Sequence, residues 1–332
     1  MRIVFDCMGA DGGVEAILGG IRLARQEREF EAVLVGNEEK ISAALASSSE
    51  EIGEVEVIPA GSWISNEEEP ALALRRKKDA SVAVAMKYLA QGEADALISA
   101  GSTGALLAAA TFLLGRLEGV SRACLPTRLP SATGGFLLVD SGANMDATTD
   151  QLKNFATLGA AYMRAVGGVS SPKVGLLNVG TEPGKGNAQA KEAYEALRDF
   201  PGFVGNVEAR ELFLASPDVV VADGFVGNVL LKNTEGVAMF LMGMLKRKFE
   251  HLAQEDEVAG KKALLVLQEL SKLLDYKEVG ATPLLGVKAP VLKAHGSSDA
   301  KAFASAIGQA MTMVDCHLIE EVEKERQGGS SR

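Results

Sequence analysis

"KVGLLNVGTEPGKGNAQAKEAYEALRDF", residues 173–200, divides into three parts: an apolar run, a turn holding three glycines and one lysine, and a charged segment with helical spacing. A short apolar run that feeds a glycine-bearing turn and then a helix is the repeating unit of a parallel α/β sheet. The same unit recurs on either side of it. "RIVFD", "EAVLVG", "VEVIPA", "DALISA", "GFLLVDSG" and "DVVVADG" are Val-, Ile- or Leu-rich runs set between helix-like stretches. The alternation predicts an α/β protein with a doubly wound, mostly parallel sheet in a three-layer, Rossmann-like arrangement. Most of the runs end in Asp, Ser, Asn or Gly. That is where an open α/β sheet places its ligand crevice, beyond the carboxyl ends of the strands.

Between Gly236 and Tyr276 the strand signal stops, and two helix-like segments flank an acidic turn. We expect a helical hairpin, at about residues 236–276, projecting from one α/β catalytic domain that spans residues 1–322. The polar end "EKERQGGSSR", residues 323–332, reads as a frayed tail.

With 332 residues, 47% hydrophobic and 23% charged, the chain can bury a sizeable core. A formal net charge of −10 argues against a nucleic-acid binder, because nothing in the balance would neutralise a phosphate backbone. Cys7, Cys124 and Cys316 are far apart and in no metal-binding or disulfide spacing, which fits a reducing cytoplasm. The chain opens "MRIVFDCMGADGG", with no apolar leader. The most apolar helix-like run, "GALLAAATFLLG", falls short of the roughly 20 residues that a membrane span needs.

The opening turn invites comparison with a nucleotide P-loop, and the comparison fails. Only three residues separate Gly180 from Gly184, and Gly186 stands where a magnesium-binding Ser or Thr should follow the lysine. No G-x-G-x-x-G occupies the first strand-to-helix turn, which argues against a dinucleotide site. No G-x-S-x-G elbow exists, and the available histidines are His251, His295 and His317. Of these, His295 in "LKAHGSSDAKAF" is the one placed to face a crevice, although a core or cap-supporting histidine reads equally well.

Four glycine-bearing turns do stand at strand ends: "DCMGADGG", "SAGSTGA", "NVGTEPGKGN" and "ADGFVGN". Taken singly, each is an ordinary tight connection. Together, with Ser99, Ser102, Thr103, Lys185 and Asn228 among them, they point to an anion-binding crevice. Ser102 or Thr103 can cap the helix that follows and leave backbone amides facing a phosphate. "ALRRKKDAS" gathers Arg75, Arg76, Lys77 and Lys78; it is either a solvated helix face or a docking patch for an acidic partner. The stripe containing Leu264, Leu265, Leu267 and Leu270, bordered by lysines, suits a dimer core or an anionic membrane surface. Cys7 has no partnered base and reads as a core thiol.

In order along the chain, "DCMGADGG", "ALRRKKDAS", "SAGSTGALLAAATFLLGRLEG", "GGFLLVDSGANMD", "VGLLNVGTEPGKGN", "GNVEARE", "DGFVGNVLLKNTEG" and "LLGVKAPVLKAHGSSDAKAF" resemble the bacterial phosphate acyltransferase family nearly end to end. The resemblance implies an enzyme that converts a long-chain acyl thioester of acyl carrier protein and inorganic phosphate into acyl phosphate for phospholipid synthesis. A membrane glycerol-3-phosphate acyltransferase would then use that product. It also implies a cytoplasmic homodimer at the membrane face, with no metal and no cofactor. Lys185 and Asn228 match the family's catalytic positions. Candidate phosphate or substrate contacts are Asp6, Gly9, Ser99, Gly101, Ser102, Thr103, Gly104, Asn144, Gly184, Asp223, Gly227 and His295. Ala10, Ser102, Ala209 and Asp299 depart from the family pattern, where Gly, Asn, Gly and Asn are usual. A phosphate acetyltransferase-like enzyme acting on a coenzyme A thioester shares the chemistry and is the nearer rival. A non-enzymatic acyl-binding protein is the other.

Overall fold

Strands buried on both faces need unbroken apolar runs, and those runs become the central strands of two sheets. The computed structural model describes residues 1–48, 52–274 and 280–329. The first half of the chain forms β1 (Arg2–Asp6), α1 (Gly13–Arg25), β2 (Glu31–Gly36), α2 (Glu38–Ser47), β3 (Val55–Pro59), α3 (Pro70–Arg76), α4 (Ser81–Ala90), β4 (Ala96–Ser99) and α5 (Thr103–Ala109). Next come β5 (Thr127–Leu129), β6 (Phe136–Val139), α6 (Thr149–Ala165), β7 (Val174–Asn178), α7 (Ala188–Leu197), β8 (Phe203–Glu208) and β9 (Val219–Val221). The hairpin helices α8 (Gly224–Glu255) and α9 (Glu257–Leu274) follow. The described chain closes with β10 (Ala281–Pro283), β11 (Val291–Ala294), α10 (Ala300–Asp315) and α11 (Leu318–Gly329).

Every apolar run named from the sequence is a strand, but the strands divide between two sheets. One has the order β10-β11-β4-β1-β2-β3, the other β5-β6-β9-β7-β8. Both are parallel except at one edge, where β10 and β5 run antiparallel to their neighbours. Each sheet contains a place where consecutive connections leave in opposite directions. In the first it lies between β1 and β4, in the second between β7 and β9, and such switch points open a crevice at the carboxyl edge.

One apolar cluster runs through both sheets, joining Ile3 and Phe5 to Val139, Phe155, Val219 and Val221. The C-terminal helices reinforce the junction. α10 packs on α1, α11 packs on α6, and Arg164 pairs with Glu325.

The hairpin begins earlier than its composition suggests. Asp223 caps α8 by accepting from Val226 N–H at 2.9 Å, so the helix starts inside the glycine turn and runs 32 residues without interruption. The expected hairpin end at Tyr276, and residues 330–332 of the expected tail, lie outside the described residues. Among the described residues, no helix is long and apolar enough to cross a membrane.

Candidate active site

At the first switch point the parallel register sets Asp6 of β1 beside Ser99 of β4, and Ser99 beside Lys293 of β11. Ser99 Oγ donates to Asp6 Oδ2 at 2.7 Å and accepts from Gly101 N–H at 3.1 Å. Burial pushes the Asp6 carboxyl up; the hydroxyls of Ser81 and Ser99, Met8 N–H and the charge of Lys293 oppose the shift. The Lys293 ammonium donates to Ala100 O at 3.4 Å and to Ala294 O. Its pKa is pushed down to about 8 by burial, against the pull of Asp6 and Asp11.

Gly9 has φ +97°, and a Cβ there would lie 2.7 Å from Gly101 Cα, so the two turns meet backbone to backbone. Asp11 N–H donates to Gly296 O at 2.8 Å, which brings the His295 loop to the same edge. His295 Nδ1 lies 3.2 Å from Ser297 N and 2.8 Å from Ser297 Oγ. Ser102 is the N-cap of α5 and accepts from Ala105 N–H at 3.5 Å, with Thr103 and Gly104 in the first turn. Asp299 caps α10 by accepting from Ala302 N–H at 3.0 Å. An asparagine at position 102 or 299 would cap equally well, so both departures from the family pattern preserve the local hydrogen bond.

The second switch point is organised by Asp140, a fully buried carboxylate directly after β6. Its oxygens accept from Leu125 N–H at 3.0 Å, Gly142 N–H at 3.3 Å, Ala143 N–H at 3.1 Å, Asn144 N–H at 2.7 Å and Asn144 Nδ2 at 2.9 Å. These bonds wrap residues 142–144 into a loop beneath the start of α8. Gly224 N–H donates to Asn144 O at 2.7 Å. A Cβ on Gly142 would sit 3.4 Å from Asn228 Oδ1, and a Cβ on Gly227 would sit 1.9 Å from Asp140 O. Asn144, Asp223, Gly227 and Asn228 are thereby brought together. Asn144 Nδ2 also donates to Ala123 O at 2.8 Å. Ala143 packs on the cluster containing Leu106 and Val291, which carries the loop across to the first sheet.

Lys185 leaves the carboxyl end of β7, and Asn228 follows that of β9. These strands are adjacent and parallel, with Leu176 opposite Val221, so the two loops emerge side by side. The Lys185 loop is held at three points. Asn178 Nδ2 donates to Lys185 O at 3.2 Å, Asn206 Nδ2 donates to Glu182 O at 2.8 Å, and Asn187 caps α7 by accepting from Ala190 N–H at 2.8 Å. The Lys185 ammonium is half exposed and stands 3.9 Å from Glu182 Oε1, while a side chain on Gly184 would meet open space.

Lys77 and Leu267 turn inward. Lys77 Nζ donates to Trp63 O at 3.0 Å and to Glu68 Oε2 at 2.8 Å, and it holds the Glu68 carboxyl below the usual range. Arg75, Arg76 and Lys78 remain exposed. Leu267 is buried between the hairpin helices, Leu264 is half-buried, and Leu265 and Leu270 are exposed. Burial and Asp6 push the Cys7 thiol up, which fits its reading as a core residue. Asp140 and Lys293 were not among the sequence candidates. Asp140 carried a readable signal, an aspartate ending an apolar run before "SGAN", whereas Lys293 is one lysine in a strand and only its burial marks it.

The fatty acid synthesis protein family model matches residues 1–321. A phosphate acyltransferase of Exiguobacterium sp. is 44% identical over 333 residues, covering 98% of each chain. A phosphate acyltransferase of Streptococcus pyogenes serotype M5 is 43% identical over 334 residues, also covering 98% of each. Among solved structures, a phosphotransacetylase from Streptococcus pyogenes superposes with a TM-score of 0.64 at 16% identity, covering 96% of this chain and 94% of its own. That likeness is one of fold. The two close sequence relatives and the family match carry the assignment: the chain belongs to the bacterial phosphate acyltransferase family and is an acyltransferase.

Proposed function

We propose that the enzyme moves a long-chain acyl group from acyl carrier protein to inorganic phosphate, giving acyl phosphate for phospholipid synthesis. One observation carries the reading: Lys185 and Asn228 leave neighbouring parallel strands at a switch point, above a loop that the buried Asp140 holds in place. The two sheets act as one catalytic unit. Phosphate, already anionic and in good part a dianion near neutral pH, needs positioning more than deprotonation; the amides at the start of α5 and the glycine turns hold it. Its oxygen attacks the thioester carbonyl. The Lys185 ammonium and the Asn228 amide stabilise the charge that builds on the carbonyl oxygen, with no covalent enzyme intermediate. The product goes to a membrane glycerol-3-phosphate acyltransferase. Purified protein incubated with palmitoyl carrier protein and labelled phosphate should form labelled acyl phosphate. Equal turnover of palmitoyl coenzyme A would favour a coenzyme A donor instead.

An acidic carrier needs a local basic surface on a chain of net charge −10, and Arg75, Arg76 and Lys78 at the end of α3 provide one. Arg75→Glu with Arg76→Glu should raise KM for acyl carrier protein about tenfold and flatten its salt dependence, leaving turnover of a carrier-free thioester unchanged. An unaltered KM would remove the patch from docking. Lys77 is left in place because its charge reversal would break the tie to Trp63 and Glu68.

The hairpin places the enzyme. Within α8 only Gly224 and Gly227 are buried, while Met239, Phe240, Leu241 and Met244 are exposed. A second copy of the chain covers this stripe, and a monomer by sedimentation equilibrium at micromolar concentration would refute that. Leu265, Val266 and Leu270, with Lys261 and Lys262, meet an anionic membrane surface from the cytoplasmic side. Leu265→Glu with Leu270→Glu should abolish salt-sensitive pelleting with anionic vesicles and leave melting unchanged. Leu267→Glu should lower the melting temperature instead, because it buries a charge between α8 and α9. A Leu265/Leu270 variant that still pellets would defeat the membrane assignment.

A further inference from the structure

Lys293 has no part in the chemistry described so far, yet it occupies the carboxyl edge of β11 at the first switch point, in line with Ser99 and Asp6. Two carbonyls, Ala100 O and Ala294 O, take two of its three N–H donors, and the third has no acceptor among the described residues. The charged groups that face it are Asp6 from β1 and Asp11 from the turn after β1; β4 contributes the uncharged Ser99 and Ala100. Lys185 and Asn228 belong to the other sheet, and the Asp140 loop joins the two edges through Ala143 and Asn144. The reaction has two ends that need help: the oxyanion, and the sulfur that departs.

We propose that Lys293 is the general acid for the leaving sulfur. The inference rests on the thioester-to-phosphate reading above. A phosphate oxygen forms the new C–O bond, and as the oxyanion collapses the C–S bond breaks. The sulfur leaves with that electron pair and takes a proton from Lys293 Nζ, giving free thiol and acyl phosphate. The acyl phosphate gives up the proton that the phosphate brought, and the neutral amine takes one back from solvent, so the protons balance. A partly buried ammonium suits the task. Burial brings its acidity to about 8, close to the value of about 8.5 for a thiol, and proton transfer is most effective when donor and acceptor are matched near the working pH.

The test varies the leaving group. With S-palmitoyl-N-acetylcysteamine and phosphate, Lys293→Met should lose on the order of 10²–10⁴ in kcat, the range of general acid catalysis. With 4-nitrothiophenyl palmitate, whose thiol leaves without a proton, the loss should shrink to less than about tenfold. Wild-type kcat on the alkyl ester should fall as the pH rises through about 8, and that limb should be absent from the residual rate of Lys293→Met. Lys293→Arg keeps the charge but holds its proton too tightly to act as an acid, so it should be no better than Lys293→Met. Equal losses on both esters, or an arginine variant near wild-type rate, would overturn the proposal. Should the variants not fold, the wild type still decides: a steep dependence of its rate on leaving-thiol acidity excludes an acid at the sulfur. A wild type that forms no acyl phosphate from either ester, or from palmitoyl carrier protein, refutes the parent reading itself.

Discussion

Lys185→Met should lower turnover by on the order of 10²–10³ while the melting temperature stays within about a degree of wild type. The magnitude is that of removing one group that stabilises a developing oxyanion. Stability is spared because the side chain is half exposed and its ion partner, Glu182, stands 3.9 Å away on the surface, where such pairs contribute little. Lys185→Arg should recover only a small part of the activity, since a planar guanidinium replaces a compact ammonium poorly in a tight turn. Asn228→Ala should lose activity on a similar scale. If both residues act on one charge, the double variant falls by less than the product of the two losses. Wild-type turnover by a folded Lys185→Met at saturating phosphate and donor would take the residue 178–187 loop out of the mechanism.

Gly227→Ala strikes the same chemistry through the backbone. Its new methyl would lie 1.9 Å from Asp140 O and 3.0 Å from the attached carbon, so α8 or the Asp140 loop must shift. Forcing one carbon into a packed site costs about 1–3 kcal/mol, which calorimetry should register as a drop of several degrees in melting temperature. The shift also moves Asn228, the next residue on α8, and a displacement of about 1 Å in a positioning group can cost about 10² in rate. Turnover should therefore fall far more than stability. Gly308→Ala is the control, since it lies on the exposed face of α10 with nothing within 4 Å of a new Cβ and should leave turnover intact while melting rises slightly. A Gly227→Ala enzyme with normal melting and normal turnover would show that the α8 start is not held against Asp140 as described.

The central strands were legible because burial on both faces demands runs such as Val219–Val221 and Ile3–Phe5. The polar residues ending those runs, Asp6, Ser99, Asn178 and Asp223, marked the carboxyl edges. Lys185 and Asn228 stood out as polar groups in the glycine turns beyond them. β5 and β10 were not legible: each has three residues and lies antiparallel at a sheet edge, too short to show a period.

Pairing belonged to the tertiary structure. Nothing local to β9 says that it inserts between β6 and β7 and so sets the Asn228 turn beside the Lys185 loop, because partner choice is settled by long-range packing. For the same reason one expected sheet became two. Lys77 and Leu267 looked like free surface residues in a basic run and an apolar stripe, until Trp63 O and Glu68 tied down the first and α8 covered the second. Lys293 looked like any strand lysine, until β4 and the turn after β1 took it out of water and changed its acidity. The sequence by itself determined most of the strands and which glycine turns stand at their carboxyl ends, since hydrophobic period and glycine placement are local properties. Only the tertiary structure decided which of those turns face one another and which charges are desolvated, since both depend on neighbours distant in the chain.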